Sequence, residues 1–381
     1  MEGKHDYLHA IVTRCLNMPG LRPTQMRVLK FTSVSNEVFK VTFDDSVVCP
    51  QIESNSIVVK VKIEDSPHND YILYAKEVSD FVKLHRFGPR HIYEDEVITI
   101  EEFIPSTTCK SDDFIETRCL FPVIRSTAKY AKLFIDHSSD LKVENPGKIL
   151  LSLIIEGGIF DKVHNHLSIL INSAISDTKR EQLSEILNFV RLGLDMEEIR
   201  KELAIANGLP LIMCHNDLHW ANVLKKTTGG YQLIDFEYST FNPLGWDLVA
   251  FYVLGVFIFD KQAEKYIYTP QLPSVDEVRL MYKYYLLCMT DGFDSTAPVD
   301  GQMMFDIARG KYDAYLDMHA FEKLVQPKAF LGLVYLCNLQ LLLLNCMMIK
   351  DVPNDAEIGQ YAMNRIDMHR RIREALHQTK A

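Results

Sequence analysis

Through the first hundred residues, apolar and polar positions alternate with the period of two that is typical of half-buried strands. Two strands around a turn at residues 33–36 are predicted by "QMRVLKF" and "NEVFKVTF", and two more by "SIVVKVKI" and "EVITIEEFIPS". A helix is predicted by "DYILYAKEVSDFVKLHRFG", whose apolar residues have helical spacing and which ends at Gly88 and Pro89. A helix closing over a small antiparallel sheet forms an α+β unit.

Beyond Pro105 the apolar residues recur with the helical period. Helices are predicted by "FPVIRSTAKYAKLFIDH", "KREQLSEILNFVRLGL" and "SVDEVRLMYKYYLLCM". The most apolar run, "LCNLQLLLLNCMMI", contains polar residues and is too short to span a bilayer, so we expect a buried helix and no transmembrane segment. The pattern predicts an α+β chain with a small antiparallel-sheet lobe at residues 1–103 and a larger, mainly helical lobe at residues 104–381.

One segment of the second lobe departs from the helical pattern. There "IMCHNDLHWANVL" is followed by "YQLIDFEYS", and together they predict two short strands joined across "KKTTGG". Six polar side chains that can take part in chemistry lie between the apolar runs: His215, Asp217, His219, Asn222, Asp235 and Glu237. Two kinds of site use such residues, a metal cage of His and Asp and a phosphoryl-transfer centre.

Composition limits the function classes. The net charge of −10 argues against a nucleic-acid-binding surface but not against binding a small cation. The eight cysteines include no C-x-x-C pair, which indicates reduced thiols rather than a disulfide framework or a zinc ribbon. The first residues lack the apolar segment of a signal peptide. We therefore expect a cytoplasmic protein.

The metal cage explains only part of the polar segment. In an extended chain, His215, Asp217 and His219 point to one face, an arrangement that can ligate zinc. However, the chain has no further histidine near enough in sequence to complete an obvious ligand set, and the later amide and carboxylates stay unexplained.

Phosphoryl transfer explains more of the segment. Kinase catalytic loops have the pattern H-R-D-x-x-x-x-N and are followed, after a strand, by D-F-G. Asp217 and Asn222 have this spacing, and Asp235 follows the predicted strand. In this scheme Asp217 is the catalytic base that orients the substrate hydroxyl, while Asn222 and Asp235 hold Mg²⁺, which prefers hard oxygen ligands.

The two motifs "CHNDLHWANVL" and "LIDFEYSTFNPLGWDL" resemble those of the choline/ethanolamine kinase family. Further resemblance lies in "SVSNEVFKV", "IVVKVKI" and "EEFIPS", which match the family's nucleotide loop, phosphate-contacting strand and hinge. The resemblance implies a two-lobed protein-kinase-like fold, ATP and Mg²⁺ as cofactors, a homodimer, and phosphorylation of a small amino alcohol, with choline favoured over ethanolamine. Two alternatives stay open: a kinase for another small hydroxylated metabolite, such as an aminoglycoside or a sugar, and a nucleotide-binding pseudokinase.

The resemblance also assigns residues to the nucleotide. Lys60, or Lys62 on the same strand face, would contact the ATP phosphates, and Glu77 would pair with that cation. The phosphate-cradling turn would contain Ser35 and Asn36, preceded by Thr32 and Ser33 where the family has glycines, and this difference predicts weaker nucleotide affinity. Backbone groups of Glu102, Phe103 and Ile104 would meet the adenine.

The remaining assignments concern the loop and the alcohol. Glu237 replaces the glycine of D-F-G and would bind a second metal or steady the loop, while His215 and Asp247 would brace it. The alcohol pocket would include His219, Tyr252, Phe259 and Tyr335. Leu254 and Gly332 stand where the family has an acidic and an aromatic residue, so we expect a pocket less selective for cations than is usual in the family.

Overall fold

The small lobe is an antiparallel sheet with a helix across one face. In the computed structural model, the described residues are 2–31, 36–52, 54–63, 74–108, 117–140, 149–174, 176–255, 257–260, 265–268, 274–291, 293, 301–349 and 356–379. The sheet has the order β1-β2-β3-β5-β4, with bounds β1 (Met26–Phe31), β2 (Asn36–Phe43), β3 (Ser56–Lys62), β4 (His91–Glu94) and β5 (Ile98–Glu102). The four predicted strands are confirmed, whereas β4 was not predicted.

Alternation along the strands separates a buried face from a face that carries polar groups. Helix α1 (Glu2–Cys15), which the sequence pattern did not reveal, packs its apolar residues against one side of the sheet. Val59 of β3 pairs with Ile100 of β5, and both are fully buried on that side. Lys60, the next residue along β3, therefore projects from the opposite face.

Helix α2 (Ala75–Leu84) is the helix predicted before Gly88, but its apolar face packs on the large lobe. The ring of Phe81 stacks on that of Phe134, with 4.0 Å between the centroids and 13° between the planes. Val78 and Val82 of α2 are buried in the same cluster. This helix therefore joins the lobes as well as standing beside the sheet.

The large lobe is mainly helical, as predicted. Its helices are α3 (Thr117–Asp136), α4 (Leu150–Glu156), α5 (Ile159–Ser173), α6 (Asp177–Asn188), α7 (Met196–Asn207), α8 (Trp246–Gly255), α9 (Val275–Met289), α10 (Gly301–Ala308), α11 (Met318–Leu324), α12 (Pro327–Met348) and α13 (Ala356–Gln378). Local sequence fixes the start of α9, where Ser274 and Glu277 form a capping box. The three helices predicted from the helical spacing of apolar residues are confirmed as α3, α6 and α9.

The most apolar run of the chain lies inside α12. Among the described residues, α12 is the one helix that is long and apolar enough to cross a membrane by length and composition. However, 78% of its apolar window is buried inside the protein, where it packs against α5, α7, α8 and α13. The prediction of a buried helix is confirmed.

Short strands interrupt the helices and position the polar segment. One sheet has the order β6-β8-β9, made of β6 (Ser106–Thr108), β8 (Val223–Lys226) and β9 (Tyr231–Leu233). A second sheet pairs β7 (Leu211–Cys214) with β10 (Thr240–Pro243). A third pairs β11 (Phe257–Asp260) with β12 (Lys265–Tyr268). The hairpin predicted across "KKTTGG" is therefore confirmed. The boundary predicted at residue 104 falls between β5 and β6, which belong to different sheets, and the domain limits stay a prediction.

The stacked pair of phenylalanines leads to a stability prediction. Replacing Phe81 by Ala should lower the free energy of unfolding by about 3–5 kcal/mol, because it removes a buried aromatic ring and leaves a cavity. Leu84→Ala on the same helix is the matched control, since Leu84 is 66% exposed and its loss should change stability by less than about 0.5 kcal/mol. Urea denaturation of both variants measures the difference, and equal effects would contradict this packing.

Candidate active site

The loop after β7 is held by a buried carboxylate. Asp247, at the start of α8, accepts the backbone N–H of His215 at 2.8 Å and that of Asn216 at 3.0 Å. Burial raises the pKa of Asp247, although the neighbouring His215 and the two amide hydrogen bonds oppose the shift. The side chain thus fixes the loop before Asp217, in the bracing role that the sequence suggested.

The imidazole of His215 ties both ends of the polar segment together. Its Nδ1 accepts the backbone N–H of Asp217 at 3.3 Å, and its Nε2 donates to the carbonyl oxygen of Ile234 at 2.8 Å. These partners place the hydrogen-bonding proton on Nε2 and leave Nδ1 as the acceptor. Because the backbone takes both ring nitrogens, His215 braces the loop, and the zinc cage with Asp217 and His219 loses its first ligand.

Two residues of the segment have left-handed backbone conformations, with φ of 65° at Asn216 and 66° at Asp235. Such conformations are costly outside glycine and persist where surrounding contacts hold them. The side-chain amide of Asn216 donates to the carbonyl oxygen of Tyr238 at 3.0 Å, and its oxygen accepts from buried Asn242. Sequence reasoning missed this asparagine pair; the signal available was the tolerance of Asn for the left-handed region.

Asp217 and Asn222 are in direct contact. The Asn222 amide nitrogen donates both to the carboxylate Oδ2 and to the carbonyl oxygen of Asp217, each at 2.8 Å. His219 Nε2 lies 3.5 Å from the same Oδ2. Burial would raise the pKa of Asp217, but His219, His215 and the Asn222 hydrogen bond outweigh it, so the pKa lies below its ordinary value. The group is therefore an ionised hydrogen-bond acceptor at neutral pH.

The β8–β9 hairpin brings Asn222 and Asp235 to one end of the same sheet. Val223 pairs with Leu233, and the N–H of Ile234 donates to the carbonyl oxygen of Asn222 at 3.1 Å. A carboxylate and an amide oxygen are then available from neighbouring strands. This donor set suits a hard cation such as Mg²⁺.

Lys60 links the lobes. Its ammonium lies 3.2 Å from Asp235 Oδ1 in the large lobe and 3.4 Å from Glu101 Oε2 in the small lobe. Burial disfavours the charged form, but the charges of Glu101, Asp235 and Glu237 outweigh it and raise the pKa of Lys60. Lys62, at the exposed end of β3, lines the same cavity. The geometry therefore favours Lys60 as the cation of the site.

The carboxylate paired with Lys60 in the small lobe is Glu101, and this corrects the expectation that Glu77 would pair with it. In the sheet register, Val58 lies opposite Glu101, so Lys60 and Glu101 are diagonal neighbours on one face. Glu77 of α2 lines the cavity beside them. The signal available in "VITIEE" was an acidic residue within an otherwise apolar strand.

Glu101 also continues a chain of ionisable side chains across the small lobe. Its Oε1 lies 3.3 Å from His91 Nε2, and His91 Nδ1 lies 3.4 Å from Glu94 Oε2. Glu94 in turn contacts Lys83 of α2. The hydrogen bond from His91, supported by Lys83 against the cost of burial, lowers the pKa of Glu94 to about 2.

The start of β2 contacts the segment after Asp235. The amide nitrogen of Asn36 donates to Glu237 Oε2 at 3.0 Å. Of the two roles considered for Glu237, steadying the loop agrees with this contact. A cavity of about 720 Å³ lies between the lobes and is lined in part by the predicted residues Asn36, Lys60, Glu77, Asp235 and Glu237. Ser35, with Thr32 and Ser33, lies outside the described residues.

The hinge residues have hydrogen bonds within the protein. The N–H of Glu102 donates to Arg90 O at 2.9 Å, and that of Phe103 donates to Ser56 O at 3.2 Å. The carbonyl oxygen of Ile104 accepts from the Ser106 hydroxyl at 2.8 Å. The adenine contact assigned to residues 102–104 stays a prediction.

The comparisons with known proteins bear on this arrangement. A sequence profile described as choline/ethanolamine kinase matches residues 30–368, most of the chain. The chain belongs to the choline/ethanolamine kinase family. The resemblance stated from the motifs is thereby confirmed.

Curated relatives of the family are distant. Probable choline kinase 1 of Arabidopsis thaliana is 23% identical, over 57% of this chain and 56% of that protein. Ethanolamine kinase 1 of Mus musculus is 43% identical, over 13% of this chain and 14% of that protein. The alignments therefore span little more than half, or less, of these relatives, and both choline and ethanolamine appear in their names.

Solved structures support the fold. The choline kinase of Cryptosporidium parvum Iowa II has a TM-score of 0.65 and 16% identity, with 98% of this chain and 97% of that chain covered. The ethanolamine kinase of Plasmodium vivax has a TM-score of 0.54 and 12% identity, with 96% and 90% covered. The predicted two-lobed kinase-like fold is confirmed.

One residue predicted for the alcohol pocket lies elsewhere in the structure. His219 lies beside Asp217, and its place in the alcohol pocket stays a prediction. Tyr335, in contrast, is fully buried in α12, with its ring centroid 4.4 Å from that of His369, so we no longer assign it to the pocket. The side chains of Tyr252 on α8 and Phe259 on β11 lie outside the described part of the chain, and their roles stay predictions.

Tyr335 lies outside the pocket because its face of α12 points into the core of the large lobe. A Cβ built on Gly332, one turn before Tyr335, would lie 2.5 Å from Glu202 Oε2 of α7. Both positions therefore face the core of the large lobe. The sequence could not reveal which face of α12 meets the core, because this helix has no strongly polar face.

The Lys60 contacts of this kinase-family site give a paired prediction. Glu101→Gln should lower the free energy of unfolding by about 1–3 kcal/mol, because buried Glu101 is one of the two carboxylates in contact with the mostly buried Lys60 ammonium. Glu77→Gln should change it by less than about 0.5 kcal/mol, since no ion pair of Glu77 is found in the part of the chain that the structure describes. Thermal and urea unfolding measure both; a larger loss for Glu77→Gln would restore the pairing expected from the sequence.

Proposed function

We propose that the protein transfers the γ-phosphoryl group of ATP to the hydroxyl of a small amino alcohol, with choline favoured over ethanolamine. The observation that carries the proposal is the joint placement of three groups. Asp217 is held as an ionised acceptor by Asn222, and Asp235 is held by Lys60 across the cleft. A base, metal ligands and a phosphate-binding cation in this order are the parts that phosphoryl transfer requires.

Each group has a defined task in the reaction. Asp217 orients the alcohol and accepts its proton as the oxygen attacks the γ-phosphorus, and ADP leaves with the electrons of the broken P–O bond. Asn222 and Asp235 would hold Mg²⁺, which would neutralise charge on the phosphates. Lys60 neutralises further phosphate charge. His215 and Asp247 keep Asp217 at the end of β7 without touching the substrate.

The preference for choline rests on the sequence and on charge. Leu254 stands at an acidic position of the family, which removes one attraction that choline and ethanolamine share. Tyr252 and Phe259 can offer ring faces, which favour the weakly hydrated trimethylammonium. The net charge of −10 attracts either cation at long range. The homodimer implied by the family resemblance and the cytoplasmic location expected from the composition stay predictions.

The first experiment measures ADP release with Mg-ATP and a panel of choline, ethanolamine, methylated ethanolamines, aminoglycosides and simple sugars. We expect choline to give the highest kcat/KM. Asp217→Asn should lower turnover at least about a hundredfold, the lower end of what a general base contributes, and leave Mg-ATP affinity nearly unchanged.

Other outcomes of the panel are informative. ADP formed only with a sugar or an aminoglycoside would contradict the amino alcohol but keep the phosphoryl-transfer site. Turnover that no alcohol stimulates would favour the pseudokinase alternative. An Asp217→Asn variant with near-normal turnover would remove Asp217 as the base.

The metal assignment predicts a changed Mg²⁺ requirement. Asp235→Ala and Asn222→Ala should both lower kcat and raise the Mg²⁺ concentration needed for half-maximal rate, because each removes an oxygen ligand. Titration of Mg²⁺ at fixed ATP measures the shift. Asp80→Ala is the control, since this exposed carboxylate lines the same cavity but lies outside the proposed ligand set. A normal Mg²⁺ titration in either site variant would exclude that residue as a ligand.

A further inference from the structure

Away from the candidate active site, two histidines and an aspartate converge where α2 meets α3. His85 Nε2 lies 3.3 Å from Asp140 Oδ2, and His137 Nδ1 lies 3.8 Å from the same oxygen. The three ligand atoms all lie within 4.8 Å of one another. Within the described ranges this is the one group of three or more His, Cys, Asp or Glu side chains that meets such a condition.

The spacing of these atoms fits a tetrahedral metal. With zinc–nitrogen bonds of roughly 2.0–2.1 Å, neighbouring ligand atoms of a tetrahedron are about 3.3 Å apart. The observed 3.3 Å equals that edge, and the 3.8 Å contact of the half-exposed His137 imidazole is 0.5 Å longer. Nitrogen and carboxylate ligands together select a borderline metal such as Zn²⁺ over Mg²⁺.

An independent observation concerns the partners of His85. Its side chain is only 13% exposed, and its Nε2 has no hydrogen-bond partner, because the Asp140 contact misses hydrogen-bond geometry. A buried polar nitrogen without a hydrogen bond is costly. The His85 and His137 rings also lie against each other, with 4.3 Å between centroids. A cation bound by His85 Nε2, His137 Nδ1 and Asp140 Oδ2 would give this nitrogen a partner.

The backbone already holds the three residues in place. The N–H of His85 donates to Phe81 O at 3.1 Å at the end of α2, and that of His137 donates to Leu133 O at 3.1 Å at the end of α3. The N–H of Asp140 donates to His137 O at 2.9 Å. Little chain entropy remains to be lost when the ligands converge.

We propose that His85, His137 and Asp140 bind one Zn²⁺ or a similar borderline transition metal, with water in the fourth position, and that this metal fastens α2 to α3. The site lies one helical turn beyond the Phe81–Phe134 stack. Since α2 forms one wall of the cavity at Glu77, the metal would fix the position of that wall relative to the large lobe. The site is independent of the proposed phosphoryl transfer.

The test uses full-length protein without a polyhistidine tag, stripped with EDTA and dialysed into buffer with excess Mg²⁺. Isothermal titration with Zn²⁺ should show one equivalent bound. Co²⁺ should give the intense visible absorption of a tetrahedral site. Zn²⁺ should also raise the melting temperature in proportion to the logarithm of its concentration, as linkage requires.

Substitutions locate the site. His85→Asn, His137→Asn and Asp140→Asn should each weaken Zn²⁺ binding at least about a hundredfold, because loss of even an outer-sphere partner costs roughly 10–100-fold. His164→Asn and Asp136→Asn are matched controls outside the cluster and should bind as wild type. Thermal unfolding in EDTA shows that each variant is folded; His137 is 46% exposed and its replacement should be tolerated.

Three results would overturn the proposal. They are absence of saturable Zn²⁺ binding, binding unchanged in both His85→Asn and His137→Asn, and binding lost in Asp235→Ala but kept in the three cluster variants. The last result would place zinc at the candidate active site. Failure of phosphoryl transfer has no bearing on any of these readouts.

Discussion

The contact between Lys60 and Asp235 is the interaction on which the site depends. It is formed by a strand of the small lobe and the turn that follows β9 in the large lobe, so it exists only when the lobes are together. A buried ammonium is costly unless carboxylates surround it, and Glu101 supplies the second one from the neighbouring strand. The register of β3 and β5 places Lys60 beside Glu101, and the same ammonium contacts Asp235, the proposed metal ligand.

The large lobe holds its side of that contact through backbone hydrogen bonds. Asp247 and His215 together fix the chain on both sides of Asp217, and the left-handed turns at Asn216 and Asp235 direct the loop toward the cleft. These residues are assigned no chemistry, but their hydrogen bonds hold the proposed base and the proposed metal ligands in place. Such prior organisation is what lowers the barrier of a reaction that consists mainly of positioning.

The sequence predicted the fold and pointed to the loop of the candidate site, because both depend on local patterns. Period-two segments identified four strands, and the spacing of Asp217, Asn222 and Asp235 identified the loop and the hairpin that carries it. Glu101 was missed because its role arises from pairing with a strand about forty residues away. Tyr335 was misplaced because a helix that is apolar all round gives no sign of which face meets the core. Helix α1 was missed because its charges are spread through its sequence.

The central position of α12 has a consequence for how the chain folds. This helix packs on α5, α7 and α8, which precede it, and on α13, which follows it, so its apolar faces are covered only after α13 has been synthesised. The sheet of the small lobe and α1 form a core from residues 8–100 alone. During synthesis the small lobe can therefore fold early, whereas the large lobe exposes apolar surface until its last helix has been made. If folding of this chain requires chaperones, the requirement should arise from the exposed apolar surface of the large lobe.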